Sequence, residues 1–201
     1  MQLKIEGDKD SRGFEDSETA YDYRHEGVLQ CVASRLGWLV FFFCGLMLAA
    51  VVVEAFEEVL KKEVELSYFV PLLIGHGGNT GSQAVATMIR ALALGQVGMQ
   101  DLFMVVAKEG AAGVIMGTLL GLCILAFSFV WSGITPAVGL TVAVALPVVS
   151  LWANVLGAAL PILSARLGYN PAVTSAPLMT TIVDSTGLII YFYIAKWILQ
   201  L

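Results

Sequence analysis

Apolar residues gather in long blocks along this chain, separated by short polar or charged punctuation. Crossing a hydrocarbon core about 30 Å thick takes roughly 20 predominantly apolar residues. Five stretches reach that length, near Leu36–Val59, Ser67–Leu94, Leu102–Trp131, Pro136–Leu167 and Pro171–Leu199. The pattern predicts an all-α, polytopic membrane protein with five transmembrane helices. The second and fifth spans carry polar residues in their interiors, and lipid offers backbone and side-chain polar groups no partners. Irregular structure at that depth has to face protein or a water-filled cavity.

Composition sharpens this reading. Of 201 residues, 58% are hydrophobic and 13% charged, which excludes an ordinary water-soluble core. The sole soluble-looking stretch is a tail over residues 1–35, where Glu6, Asp8, Asp10, Glu15, Asp16, Glu18, Asp22 and Glu26 concentrate acid. Within it, Val28, Leu29, Val32 and Leu36 have spacings that predict a short amphipathic helix near residues 20–35, against the inner leaflet. The acidic start, with no apolar run before Leu36, speaks against a cleaved secretory peptide. Cys31, Cys44 and Cys123 are odd in number and read as packing residues.

Charge sets the expected orientation. With the N-terminus inside, the inner segments hold Lys4, Lys9, Arg12, Arg24, Arg35, Arg90, Lys108 and Arg166, and the outer ones only Lys61, Lys62 and Lys196. That imbalance predicts an N-in, C-out protein of the cell inner membrane. Glu54, Glu57, Glu58, Glu63 and Glu65 then lie at the outer end of the first hairpin, where they would concentrate cations.

Two spans share a pattern: "PLLIGHGGNTG" (71–81) and "PLMTTIVDSTG" (177–187) both read Pro-Leu, seven residues, Thr-Gly. This predicts two antiparallel, discontinuous elements approaching one site near the midplane. Asp184 lies about halfway along the last span, where a carboxylate costs roughly 2.5 to 3.5 kcal/mol on insertion scales, so it should face an aqueous path or a cation. The glycine-rich stretch fails as a phosphate loop because Ser82, not lysine, follows Gly81, and no G-x-S-x-G accompanies its "HGG". No enzymatic site is expected. What remains is backbone bared by small residues, with Asn79, Thr80 and Gln83 as uncharged oxygen donors that suit a hydrated hard cation such as Mg2+. His76 has only His25 as a fellow imidazole, a poor basis for a soft-metal site. Gly113, Gly117 and Gly121 read as a helix-packing face, and Lys108–Glu109 as an interfacial pair or an inward-turned carboxylate.

The stretch "VPLLIGHGGNTGSQAVATMIRALALGQV" resembles the second transmembrane helix of MgtE magnesium channels, with Pro71, Gly78, Asn79, Gly81, Gln83, Arg90 and Gly95 on its motif. "NPAVTSAPLMTTIVDSTGLIIYFYIA" resembles the family's last helix through Pro171, Ala172, Thr180, Asp184, Gly187 and Tyr191. The resemblance covers residues 36–201. It implies a homodimer of five-helix subunits with a pore lined by the second and fifth helices. A hydrated Mg2+ would be held by Asp184, Asn79 and Thr180; Gly77, Gly78, Thr80, Gly81, Gln83, Thr181 and Gly187 would line the pore, and Glu54, Glu57 and Glu58 its outer mouth. His76 and Asn170 depart from the family pattern. No residues correspond to the helical N domain or paired CBS modules of larger members, so conduction without intrinsic magnesium feedback is expected.

Together these readings predict a divalent cation channel or transporter in a lipid bilayer. Mg2+ is the first ion, with Mn2+, Co2+ and Ca2+ as further candidates; no nucleic-acid partner is expected, and a soluble regulatory partner stays open. The alternatives are a proton- or sodium-coupled exchanger or exporter, and a non-transporting scaffold subunit.

Overall fold

The computed structural model describes residues 27–201. Six α-helices follow in order: α1 (Val28–Ala55), α2 (Glu57–Lys62), α3 (Leu66–Ala93), α4 (Leu102–Ser128), α5 (Pro136–Arg166) and α6 (Pro171–Leu199), with a 3-10 turn at Met99–Asp101 leading into α4. Five of them are long. At 1.5 Å per residue the 28 residues of α3 span about 42 Å, enough to cross a bilayer. By length and apolarity α1, α4 with its 3-10 lead, α5 and α6 all qualify as membrane spans. The Gly, His, Asn and Gln of α3 dilute its hydropathy and leave it short of the other four. The chain is a multi-pass membrane protein.

The helix ends follow local chemistry. Thr135 caps α5, its hydroxyl accepting from the Val138 N–H at 3.3 Å with Pro136 at the first helical position, where a missing N–H costs nothing. Asn170 caps α6 in the same way, its side-chain oxygen accepting from the Ala172 N–H at 2.9 Å. Gly95 (φ 64°) and Gly168 (φ 78°) turn the chain after α3 and α5 in a backbone conformation costly for other residues.

Residues 20–26 of the expected amphipathic segment lie outside the described residues. From Val28 onward the segment is continuous with the first span as one helix. The division between the chain's two compact units falls inside α1, after Val40, and the packing below belongs to the second unit, Phe41–Leu201.

In that unit α5 is the hub, touching α3, α4 and α6. Three clusters of buried side chains succeed one another along it. The largest holds Leu66, Phe69, Val138, Val142, Leu146, Leu188, Tyr191 and Phe192; the next Val85, Ala153, Met179 and Val183; the last Met88, Val105, Ala158 and Ile162. Between α4 and α5 the backbones close in on each other. Methyls at Gly113, Gly117 and Gly121 would lie 2.6 Å from the Ser150 carbonyl oxygen, 2.5 Å from Pro147 Cα and 2.5 Å from the Ala143 carbonyl oxygen, so the three glycines are the packing face their spacing predicts. Pro147 has no N–H to give the Ala143 carbonyl, and Gly121 lies against that oxygen.

Because the obstacle at Gly121 is backbone, it cannot swing aside. Gly121→Leu should destabilise the folded protein by about 1–3 kcal/mol, the usual range for overpacking. Thermal denaturation of the detergent-solubilised variant checks this, and an unchanged midpoint would show that α4 and α5 have room to part.

Candidate cation site

The glycine-rich stretch is not a break. Residues 66–93 form one uninterrupted helix and residues 171–199 another, each with a proline inside, which corrects the expectation of discontinuous elements. Glycine in a helix costs about 1 kcal/mol against alanine, yet here it permits a close approach that offsets this. A methyl at Gly77 would come to 2.7 Å from Val183 Cγ1 and 3.3 Å from Val149 Cγ1; one at Gly78 would reach Thr180 Cγ2 at 3.7 Å; one at Gly81 would overlap the Met179 side chain. Residues 77, 78 and 81 thus meet 183, 180 and 179. As the number rises on α3 it falls on α6, so the two similar segments pack antiparallel.

The expected site residues divide by face. Gly77, Thr80, Gly81 and Gly187 are buried, and the structure puts each against a neighbouring helix of the same chain, Gly187 beside Val149. Asn79 and Gln83 are exposed. Together with His76 and Thr80 of α3 and Met116, Leu119 and Leu120 of α4 they line a cleft of about 350 Å3. Thr180 and Thr181 are half-buried, and both hydroxyls donate to the Pro177 carbonyl, at 3.0 and 2.8 Å. Their protons spent on backbone, the hydroxyl oxygens keep lone pairs for a cation. Asp184, one turn further on, is half-buried, and among the described residues its carboxylate has no hydrogen-bond or ion-pair partner. At the far end Glu54, Glu57 and Glu58 are exposed, with Glu57 paired to Lys61 at 2.8 Å. Glu65 instead ties helices together, accepting from the Thr135 N–H at 2.6 Å.

Three residues of α5 went unnoticed in the sequence. Ser150 Oγ lies 2.6 Å from His76 Nε2; the Trp152 indole donates to Thr186 Oγ1 at 2.7 Å; and Asn154 accepts from the Thr80 hydroxyl at 3.0 Å while donating to the Glu109 carbonyl at 3.1 Å. Their signal was present as isolated polar residues, two of them four apart, within an apolar run. Glu109 contributes its carbonyl here, and among the described residues Lys108 and Glu109 form no ion pair.

The domain is thus a polytopic helical bundle in which glycines press two polar helices together, with a lone carboxylate on one and open amides on the other. Residues 70–194 match the family model described as MgtE, divalent cation transporter, and the chain belongs to that family. It is 36% identical over 181 residues to the magnesium transporter MgtE of Thermus thermophilus, covering 89% of this chain and 39% of that protein. It is 31% identical over 161 residues to the magnesium transporter MgtE of Bacillus subtilis, and 30% identical over 196 residues to that of Enterococcus faecalis, covering 80% and 92% of this chain. Those stretches are 36% and 43% of the two relatives, so the chain spans about two fifths of the length of the curated relatives it matches.

Asn154 holds α3, α4 and α5 at one level, and Asn154→Leu removes both of its bonds while keeping bulk. At about 0.6 kcal/mol for each interhelical bond in a membrane bundle, the loss should be roughly 1 kcal/mol. A lowered thermal midpoint is expected; an unaltered one would show that the Thr80–Asn154–Glu109 chain does not hold the helices.

Proposed function

We propose that this chain passes divalent cations, Mg2+ foremost, across the membrane along a path formed by α3 and α6. The observation that carries this reading is the antiparallel contact of the two helices, which sets the unpartnered carboxylate of Asp184 and the hydroxyl oxygen of Thr180 on a helix packed against the one bearing Asn79. Oxygen donors of this kind suit a hard cation that keeps much of its water. Two copies of the chain would complete the path, each giving one carboxylate, with Gly78, Gln83 and Thr181 along its wall. The buried Gly77, Thr80, Gly81 and Gly187 would support that wall from behind.

Orientation follows the basic residues. Arg90 and Arg166 close α3 and α5 at one end and Lys196 closes α6 at the other, a positive-inside bias that supports a cytoplasmic N-terminus, as would hold in an inner membrane. Glu54 and Glu58 would draw cations to the outer entrance, while Glu57 is already engaged by Lys61. Inward movement needs no other energy source, because a doubly charged ion gains about 4.6 kcal/mol per 100 mV, twice the single-charge value.

Asp184→Asn should fold and assemble yet lower Mg2+ flux into proteoliposomes by at least about tenfold, since one charge per subunit is removed where none compensates. Wild-type flux in that variant would sink the assignment. In the same assay a dependence on a counter-ion gradient would indicate an exchanger, and no flux in the native chain a scaffold.

Asn79→Leu should block transport with expression largely intact. Its side chain is exposed, so the change strains no packing and removes only an oxygen donor. Unchanged transport would assign the stretch around Asn79 to packing alone.

A further inference from the structure

The hydrogen bond between His76 and Ser150 is compatible with an imidazole protonated on Nε2. Ser150 Oγ lies 2.7 Å from the Leu146 carbonyl, one helical turn back, and donates its single proton there. With that proton so placed, its 2.6 Å contact with His76 Nε2 has Nε2–H donating to the hydroxyl oxygen. Nδ1 is left with a bare lone pair. Among the described residues Nδ1 has no partner, and it is not sealed from the surroundings. A ring nitrogen prepared in this way, with its opposite N–H held by an oxygen acceptor, is the usual arrangement of a metal-binding histidine.

The surroundings suit a partly hydrated ion. His76, Asn79 and Gln83 stand three and four residues apart, along one face of α3, and all line the cleft of about 350 Å3. A divalent ion with six waters, at about 30 Å3 for each water, occupies roughly 180 Å3 and fits with room to exchange waters for side chains. The opposite wall, Met116, Leu119 and Leu120, is apolar and gives the amides no competing partner. Among the described residues no three His, Cys, Asp or Glu gather into a metal site, so the remaining ligands here are amide oxygens and water.

We propose that the cleft between α3 and α4 is a cation-binding station of mixed donors, with His76 Nδ1 and the side-chain oxygens of Asn79 and Gln83. It accepts divalent ions that take a nitrogen ligand, the Mn2+, Co2+, Ni2+ and Zn2+ class, in preference to Mg2+. The way an ion reaches the cleft rests on the transport reading; its occupancy there does not.

Mn2+ is the probe, bound to the purified full-length chain in excess Mg2+ and read by pulsed electron paramagnetic resonance. Nitrogen coupling to the bound Mn2+ is expected in the wild type and in Asp184→Asn, and equally in His25→Gln, which removes the other histidine. His76→Gln keeps a donor for Ser150 and should abolish the coupling, with Mn2+ affinity at least about tenfold lower. Absence of coupling in the wild type overturns the proposal, as does coupling lost in His25→Gln, and neither outcome depends on how well His76→Gln folds. Coupling present in a chain that moves no Mg2+ would uphold the site and count against the transport reading alone.

Discussion

Hydrocarbon gives a polar group nothing to bond with, and the arrangement of this bundle depends on that constraint. In the middle of α3, His76 and Thr80 are answered by another helix, and Asn79 and Gln83 face a cleft. His76 has Ser150, and Thr80 has Asn154, which in turn reaches the Glu109 carbonyl of α4. These bonds are individually weak, yet their absence would leave the groups unsatisfied. They select the one rotation of α3 in which the remaining polar residues, Asn79 and Gln83, look into the α3–α4 cleft.

Close approach of backbones makes such bonds possible, and glycine supplies it on two sides of α5. Gly113, Gly117 and Gly121 let α4 lie against the α5 main chain, and Gly77 and Gly81 let α3 settle into the angle between α5 and α6. Without water exclusion to drive association, contact area and fit decide it, and larger residues at these points would push the helices apart. The prolines take part as well. Pro147 leaves the Ala143 carbonyl to lie against Gly121, and the Pro177 carbonyl gathers the hydroxyls of Thr180 and Thr181.

The five long helices could be read from the sequence because hydrophobic length is a property of each segment by itself. So could the glycine face of α4, since its partner needs only to be another helix. Continuity through "GHGGNTGSQ" was misjudged: local propensity predicts a break, and propensity yields to the contacts with Val183, Met179 and Ala153 that the sequence does not reveal. Ser150 and Asn154 were passed over for a related reason. A lone serine or asparagine in an apolar run has no meaning until its partner, 74 residues away in both cases, is placed opposite. Asp184 stands out because a carboxylate in the middle of an apolar span is costly unless water, a cation or a hydrogen-bond donor answers it, so the residue alone implies such a neighbour.

That difference between kinds of polar residue bears on how the site is divided. Thr80 is bonded to Asn154, Asn154 also to the Glu109 carbonyl, and Ser150 to His76 and the Leu146 carbonyl, so these three stabilise a geometry. The side chains of Asp184, Asn79 and Gln83 have no protein hydrogen-bond partner among the described residues, and His76 keeps one nitrogen open. Four open donors in a membrane span are tolerable only beside water, an ion or another polar surface, since the lipid alternative costs far more than any packing gain could return. The satisfied residues form the frame, and the unsatisfied ones are those to which the proposed function assigns the cation. The frame forms within a single chain, and under the proposed function the donors it leaves open are where a cation would bind.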